Sequence, residues 1–441
     1  MPEHQATNSA SHTVTQGRIW ALAWPVMLSN ITVPLLGLVD SAVLGHLPDA
    51  AYLGAVAIGN QMFTLLFWSF GFLRMGTTAL TAHAQGRNQG QVEVLQQALW
   101  LSLPVLLLVL MAAALLLPWL LPLMGGSTLV QEGAREYLLI RLCAAPAVLA
   151  QYALTGWFIG LGHTRIPLII LTLVNVANAL LDYLFVFGLN MTSDGVALGS
   201  MLADYSGLLL ALGFARKLGL LSLGPRPALS LLQPMLRINR HLFVRTLCLL
   251  AVFAFFTAQG ARQSELILAA NAMLITLLML ISNALDGFAH AAEALTGQAL
   301  GRHDAHAVRR TIRLTGVDML LMAFAMCLLF EILGPQLLAL LTDNPDLQMT
   351  LSQYQHFLFW LPLIGMASFW LDGIFIGAQA TASMRNAMLA AGLLVFLPLW
   401  WLTRAWGNDG LWWSFYAFML ARALFMSGTF LTLFRRPINF L

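Results

Sequence analysis

The sequence predicts an all-α polytopic membrane protein of twelve transmembrane helices in two pseudo-symmetric six-helix lobes. Three observations carry this. Of the 441 residues, 59% are hydrophobic and only 9% charged, against about 25% charged in a soluble domain. The apolar residues fall into runs long enough to span a bilayer, which takes about 20 residues. The second half of the chain also repeats motifs of the first.

Residues 1–17 are polar and lack the apolar core and cleavage site of a signal peptide, so they read as a cytoplasmic N-terminal tail. Apolar runs follow near 18–44, 52–80, 95–123, 137–161, 166–189 and 196–215. The basic, proline-bearing stretch 216–241 reads as a cytoplasmic linker. Runs near 242–262, 266–295, 312–341, 352–378, 386–405 and 410–434 complete the second set, and 435–441 is a short C-terminal tail. The lobes are thus expected at 18–215 and 242–434.

With twelve spans both termini share one side. That side carries Arg18, Arg87, Arg165, Arg216, Lys217, Arg226, Arg237, Arg240, Arg302, Arg309, Arg310, Arg385, Arg435 and Arg436, while the opposite loops carry Arg135, Arg262 and Arg404. The bias of cations to cytoplasmic loops places both termini in the cytoplasm.

The repeat shows as matched motifs that all lie near one offset. Thr78–Arg87 (TALTAHAQGR) and Glu293–Arg302 (EALTGQALGR) share six of ten positions. Gly156–Gly160 (GWFIG) matches Gly373–Gly377 (GIFIG), and Asp194-Gly195 matches Asp409-Gly410. Two parallel six-helix copies make a transporter architecture, with the site between or within the halves.

A carboxylate inside a span costs about 2.5–3.5 kcal/mol on insertion scales, so Asp40 needs a partner, a proton or a bound cation. It lies in a run with two prolines. Pro25 and Pro34 release the carbonyls of Ala21 and Asn30 and make the segment a candidate hinge. In the fifth span Asn175, Asn178 and Asp182 are spaced by three and four and share one helical stripe. With a hydroxyl such as Ser200, these oxygens suit either a shared proton or sodium; packing between helices is the alternative use of such a set. At the repeat offset Asp40 maps to Phe255, and Asn178 and Asp182 map to Leu393 and Leu397, so the second half lacks the set.

Asp286, Glu293 and Asp372 are carboxylates within the second half's expected spans, read as substrate or gating contacts or as packing partners. His290 could pair with one of them. Met27, Asn30, Met62, Met201 and Met273 are candidate cavity residues, since unbranched methionine adapts to varied ligands. Arg74 is read as the one clear intramembrane arginine, snorkelling toward the cytoplasm. The glycine pairs suit close helix contact. Cys143, Cys248 and Cys327 lie in separate runs without metal-ligand spacing. Phosphate-loop, zinc-protease and hydrolase motifs do not occur, which argues against an enzyme. A net charge of +3 gives no reason to expect nucleic acid as a partner.

Asn30–Leu47 (NITVPLLGLVDSAVLGHL), Phe72–Ala82 (FLRMGTTALTA) and Leu371–Met388 (LDGIFIGAQATASMRNAM) resemble the multidrug and toxic compound extrusion (MATE) transporters, in the DinF (DNA-damage-inducible protein F) branch. The resemblance implies a central V-shaped cavity and export of amphipathic, often cationic compounds from a bacterial inner (plasma) membrane. Export would run against a proton or sodium gradient, with no cofactor. It further implies that Asp40 takes the proton and that Asn178, Asp182 and Ser200 form a polar network beside it. A monomer is expected. Lipid-linked precursor flipping, known in the wider superfamily, is disfavoured by the single intramembrane arginine.

Overall fold

The computed structural model describes residues 14–44, 50–125, 127–219, 224, 227–342 and 344–435, and all its side chains except those at 31, 33–44, 50, 229, 335, 338–341 and 432–435. Asp40 and Pro34 therefore lie outside the described side chains, and most of both tails lies outside the described residues.

Helices fill the chain in this order: α1 (Gln16–Leu44), α2 (Ala50–Trp68), α3 (Phe72–Arg87), α4 (Gln91–Leu123), α5 (Thr128–Leu142), α6 (Ala145–Leu161), α7 (Arg165–Tyr183) and α8 (Ser193–Lys217). Then come α9 (Leu229–Ala261), α10 (Glu265–Gly301), α11 (Ala305–Leu341), α12 (Pro345–Gly377), α13 (Thr381–Ala390), α14 (Leu397–Thr403) and α15 (Asn408–Arg435). No strand occurs among the described residues. With every backbone group bonded inside its own segment, helices are what a bilayer permits.

Ten helical segments among the described residues are long and apolar enough to cross a membrane, and the bent pair α5–α6 makes an eleventh. Helix α1 matches the first expected span. Four details differ from the sequence-based expectation. The span expected at 137–161 is a pair bent by 53°. The span at 52–80 breaks at 69–71 and continues to Arg87. Helix α9 begins at Leu229, inside the stretch expected to be linker. Lastly, Arg74 is not the lone arginine of the interior: Arg141, Arg245 and Arg422 are buried in apolar helices as well.

By packing, the chain divides into an N-terminal unit, Leu28–Asn239, and a C-terminal unit, Met1–Met27 with Arg240–Leu441. The first division falls inside α1, between Met27 and Leu28, and the second inside α9, between Asn239 and Arg240, near the end of the stretch 216–241. The first turns of α1 are built into the C-terminal unit. Ile19 and Ala23 are fully buried, Trp20 meets Phe288 edge-on at 5.0 Å, Arg18 Nη2 donates to Gln298 Oε1 at 3.1 Å, and Gln16 Nε2 donates to Asp318 Oδ1.

Each unit uses its glycine pair in the same way. In the N-terminal unit a Cβ at Gly156 would lie 2.3 Å from the Arg74 carbonyl oxygen, and one at Gly160 would lie 2.9 Å from that of Thr78. In the C-terminal unit Gly373 and Gly377 press equally on the carbonyl oxygens of Ala289 and Glu293, at 2.2 and 2.4 Å. Arg74 pairs with Ala289, and Thr78 with Glu293, at the offset set by TALTAHAQGR and EALTGQALGR, so the repeat is structural. One element breaks the likeness. In the N-terminal unit α6 starts afresh after the bend, with Pro146 in its first turn, whereas in the C-terminal unit Pro362 sits inside the unbroken α12. A first-turn proline costs no helical hydrogen bond, and an interior one removes one.

Candidate functional site

Helix α7 carries the polar stripe foreseen in the sequence. Asp182 is fully buried, Asn178 is 1% exposed and Ser200 7%. Asn178 Nδ2 donates to Ser200 Oγ across to α8 at 2.9 Å and to Asp182 Oδ1 along its own helix at 3.4 Å. The i, i+4 spacing makes the second bond possible. Gly199 makes room for the carboxylate: a Cβ there would fall 2.2 Å from Asp182 Oδ1. The glycine before Ser200 was not singled out in the sequence, though a small residue at that point is what close approach of a side chain to a helix requires.

Asn175, half-buried, reaches a different helix. Its Nδ2 donates to the Thr32 carbonyl of α1 at 3.3 Å. Thr32 precedes Asp40 by about 12 Å along a helix, and it stands just before Pro34. The amide oxygens of Asn175 and Asn178 accept no hydrogen bond among the described residues. Buried carbonyl-type oxygens are nearly always paired, so the free one on Asn178, beside the buried carboxylate, gives the site spare capacity for a proton-bearing group or a hard cation.

On the same stripe of α8, one turn past Ser200, Asp204 opens onto a cavity of about 250 Å³. Ser29, Arg74, Gln151, Tyr152 and Thr155 line it too. Asp204 is paired with Arg141 at 2.6 Å, and that guanidinium rests 4.1 Å from the centre of the Phe63 ring. Arg74 thus faces a polar cavity. Sequence reasoning missed Arg141 and Asp204. A larger groove, about 700 Å³ between α4, α5 and α6, is apolar apart from Arg135 and holds no comparable chemistry.

The other candidates scatter. Pro25 is buried within the unbroken α1. Met27 packs on Gly287 of the C-terminal unit, Met273 is half-buried in that unit's core, and Met62 is 6% exposed. Asn30, Met201 and Asp286 are half-buried, and Glu293 is 1% exposed. Asp372 is bonded by both Arg245 and Arg422, so it is neutralised as a cation ligand. Among the described residues no three His, Cys, Asp or Glu side chains are placed to hold a metal ion.

In the C-terminal unit the positions matching the polar set are aromatic and aliphatic. Phe255, the counterpart of Asp40, packs edge-on against Phe396 at 5.7 Å and Trp400 at 4.8 Å. These flank Leu397, the counterpart of Asp182. A π-helical segment follows Asp182 at Leu184–Gly188, and another occupies Ala391–Phe396 in the other unit. The first follows Asp182 whereas the second precedes Leu397, so the two segments are not equivalent in the repeat.

A family profile described as MatE matches residues 25–184 and, again, 242–402. The two matched stretches start in step with the repeat. The chain is 39% identical over 426 residues to DNA damage-inducible protein F of Escherichia coli (strain K12), covering 93% of this chain and 91% of that protein. It is 31% identical over 174 residues to the probable multidrug resistance protein NorM of Acinetobacter baylyi, covering 39% and 38%. Among solved structures, the Vibrio cholerae MATE transporter VcmN in the bent form superposes with a TM-score of 0.85 at 18% identity, covering 97% of this chain and 98% of that one. A MATE protein in the bent conformation superposes at 0.82 and 19%, covering 95% and 96%.

Proposed function

Since the chain belongs to the MatE family, on the branch of DNA damage-inducible protein F, we propose that this membrane transporter is a proton-coupled multidrug antiporter. It exports amphipathic, often cationic compounds and takes its proton at Asp40 and Asp182. The observation that carries this is the Asn178–Asp182–Ser200 network, buried, present in one unit and replaced by apolar side chains in the other. The pseudo-symmetry supports Asp40 as the partner. Its counterpart Phe255 packs on the residues that flank the counterpart of Asp182.

Protonation removes a buried negative charge and changes which groups Asn178 can bond. Asn175 ties this stripe to the α1 backbone just before Pro34, so a change on α7 reaches α1 through one hydrogen bond. The proline-bearing α1 then bends and closes the polar cavity around Arg74 and Asp204, expelling the drug. One charge moving down 100 mV is worth about 2.3 kcal/mol, enough to bias a two-state gate. Both termini lie in the cytoplasm, the bilayer is a bacterial inner membrane, and the monomer is the working unit.

Sodium coupling through the same oxygens is the second reading, favoured by the two acceptor oxygens of Asn175 and Asn178 that lack donors among the described residues. The lipid-precursor reading gains little from the additional arginines, because Arg141 is paired with Asp204, and Arg245 and Arg422 are both held on Asp372. The test is drug-stimulated proton release from purified protein, with export in proteoliposomes under a pH gradient and, separately, a sodium gradient alone. Wild type should release protons and use the pH gradient; Asp40→Asn and Asp182→Asn should do neither. Export by Asp40→Asn against a gradient would falsify the proton site, and export under sodium alone would establish the second reading.

A further inference from the structure

Asp372 on α12 is shared by two arginines of the C-terminal unit. Its Oδ2 accepts a hydrogen bond from Arg422 Nη2 of α15 at 2.8 Å and another from Arg245 Nη2 of α9. The side chains are 2% (Arg422), 8% (Arg245) and 11% (Asp372) exposed. A guanidinium keeps its proton, so two positive charges meet one negative and the group carries +1. The Cys248 thiol, one turn along α9 from Arg245, also lies within electrostatic reach of Arg422.

Hydrogen-bond donors are in excess too. Arg422 gives Nη1 to Met419 Sδ at 3.3 Å, a weak acceptor, and its guanidinium lies 5.6 Å from the Phe418 ring centre. The Nε–H groups of both Arg245 and Arg422 have no acceptor among the described residues. Ser368, one turn before Asp372, ties α12 to α15 by donating to the Met419 carbonyl at 2.7 Å, so the arginines are presented from a braced frame. Buried charges are paired almost without exception, and buried N–H groups are bonded. A desolvated cluster with one positive charge too many and two unpartnered donors is complementary to an anion.

We propose that Arg245 and Arg422 form a binding site for one monovalent anionic group, carried by an amphipathic substrate as a carboxylate or supplied as chloride. Asp372 is the positioning residue. By holding both guanidinium groups on one oxygen it sets them side by side and lowers the charge from +2 to +1, which keeps binding reversible. The remaining exposure belongs to Asp372 and Arg245, so the anion approaches from their side. A cationic compound is repelled here. The site therefore extends the substrate range toward carboxylates and does not depend on which ion drives export.

The test reads binding, not transport. Thermal unfolding of the purified full chain in detergent is followed by tryptophan fluorescence at fixed ionic strength. Naphthylacetate is titrated against its uncharged amide, and chloride against sulfate. A saturable rise in melting temperature is expected with the monovalent anion and not with the amide. Saturation by naphthylacetate identifies the substrate carboxylate as the source, and saturation by chloride alone identifies the inorganic ion. Arg422→Gln leaves a neutral one-to-one pair and should weaken apparent affinity about tenfold, whereas Asp372→Asn leaves +2 and should tighten it about tenfold. A purely structural triad predicts no such opposition. Absence of any saturable anion effect on wild type overturns the proposal whether or not the variants fold. So does an equal response to the amide, or a shift of both variants in the same direction.

Discussion

Asn88 and His303, equivalent positions of the repeat, hold the same left-handed backbone conformation, with φ of 55° and 57°. Both follow the Gly-Arg that ends a motif copy, after α3 in one case and α10 in the other. The positive φ recurs at Gly162 and Gln379 (φ 88° and 57°), again at matching places in the two halves. Turn geometry has thus outlasted residue identity in the repeat.

Left-handed backbone is costly for most L-residues and free for glycine. His303→Gly relieves about 1–2 kcal/mol of left-handed strain against an entropic cost of about 0.5–1 kcal/mol for glycine, so it should stabilise the protein by a net ~0.5 kcal/mol. His303→Val, branched at Cβ, should destabilise it by about 1–2 kcal/mol. Melting temperatures of the purified variants, compared with wild type, give both signs.

The glycine contacts on helix backbones leave less latitude. At Gly156 and Gly373 an added Cβ lies 2.3 and 2.2 Å from a carbonyl oxygen that belongs to another helix. Alanine at either position should cost about 1–3 kcal/mol through overpacking, and valine should prevent folding. Fluorescence-detected size exclusion of detergent extracts would show the loss of a monodisperse peak.

Gly199 offers a functional version of the same test. Gly199→Ala displaces the Asp182 carboxylate from α8, whereas Gly213→Ala on the same helix meets nothing within 4 Å. Drug export by the first variant should fall about tenfold, the equivalent of about 1.4 kcal/mol in coupling. The second should match wild type. Equal export by the two variants, at equal expression, would separate Asp182 from the transport cycle.

Coupling also has a pH signature. On the proposed proton site, export by wild type should rise as the outside is made more acidic than the inside. Asp182→Asn keeps a side chain of the same size but cannot exchange a proton, so its export should be low and flat against outside pH. Measurements in everted vesicles at clamped membrane potential separate this from a sodium effect.

Much of this arrangement could be read from the residues. The match of TALTAHAQGR to EALTGQALGR located the repeat that the left-handed turns and glycine contacts display. The spacing of Asn175, Asn178 and Asp182 placed them on one stripe, because helical periodicity is a local property. The arginine pairs were not legible. Arg141, Arg245 and Arg422 lie 63, 127 and 50 residues from their carboxylates, and no local period links such positions. The usable signal was subtler: Asp204 and Asp372 are carboxylates in apolar runs with no oppositely charged residue within a turn on either side. The bend between α5 and α6 was hidden because a proline in an apolar run does not say whether it opens a new helix, as Pro146 does, or sits inside a continuous one, as Pro362 does.

The first turns of α1 impose an order on biosynthesis. Gln16 bonds to Asp318, 302 residues later, and Arg18 to Gln298, 280 residues later. At about 5–20 residues per second, the ribosome needs roughly 15–60 s to make those partners. Through that interval the start of the first helix has only lipid, the insertion machinery or the N-terminal unit for company. A nascent chain halted anywhere before α11 therefore carries an uncommitted helix end, which makes that end a target for quality-control proteases and a place where a fused tag would delay assembly.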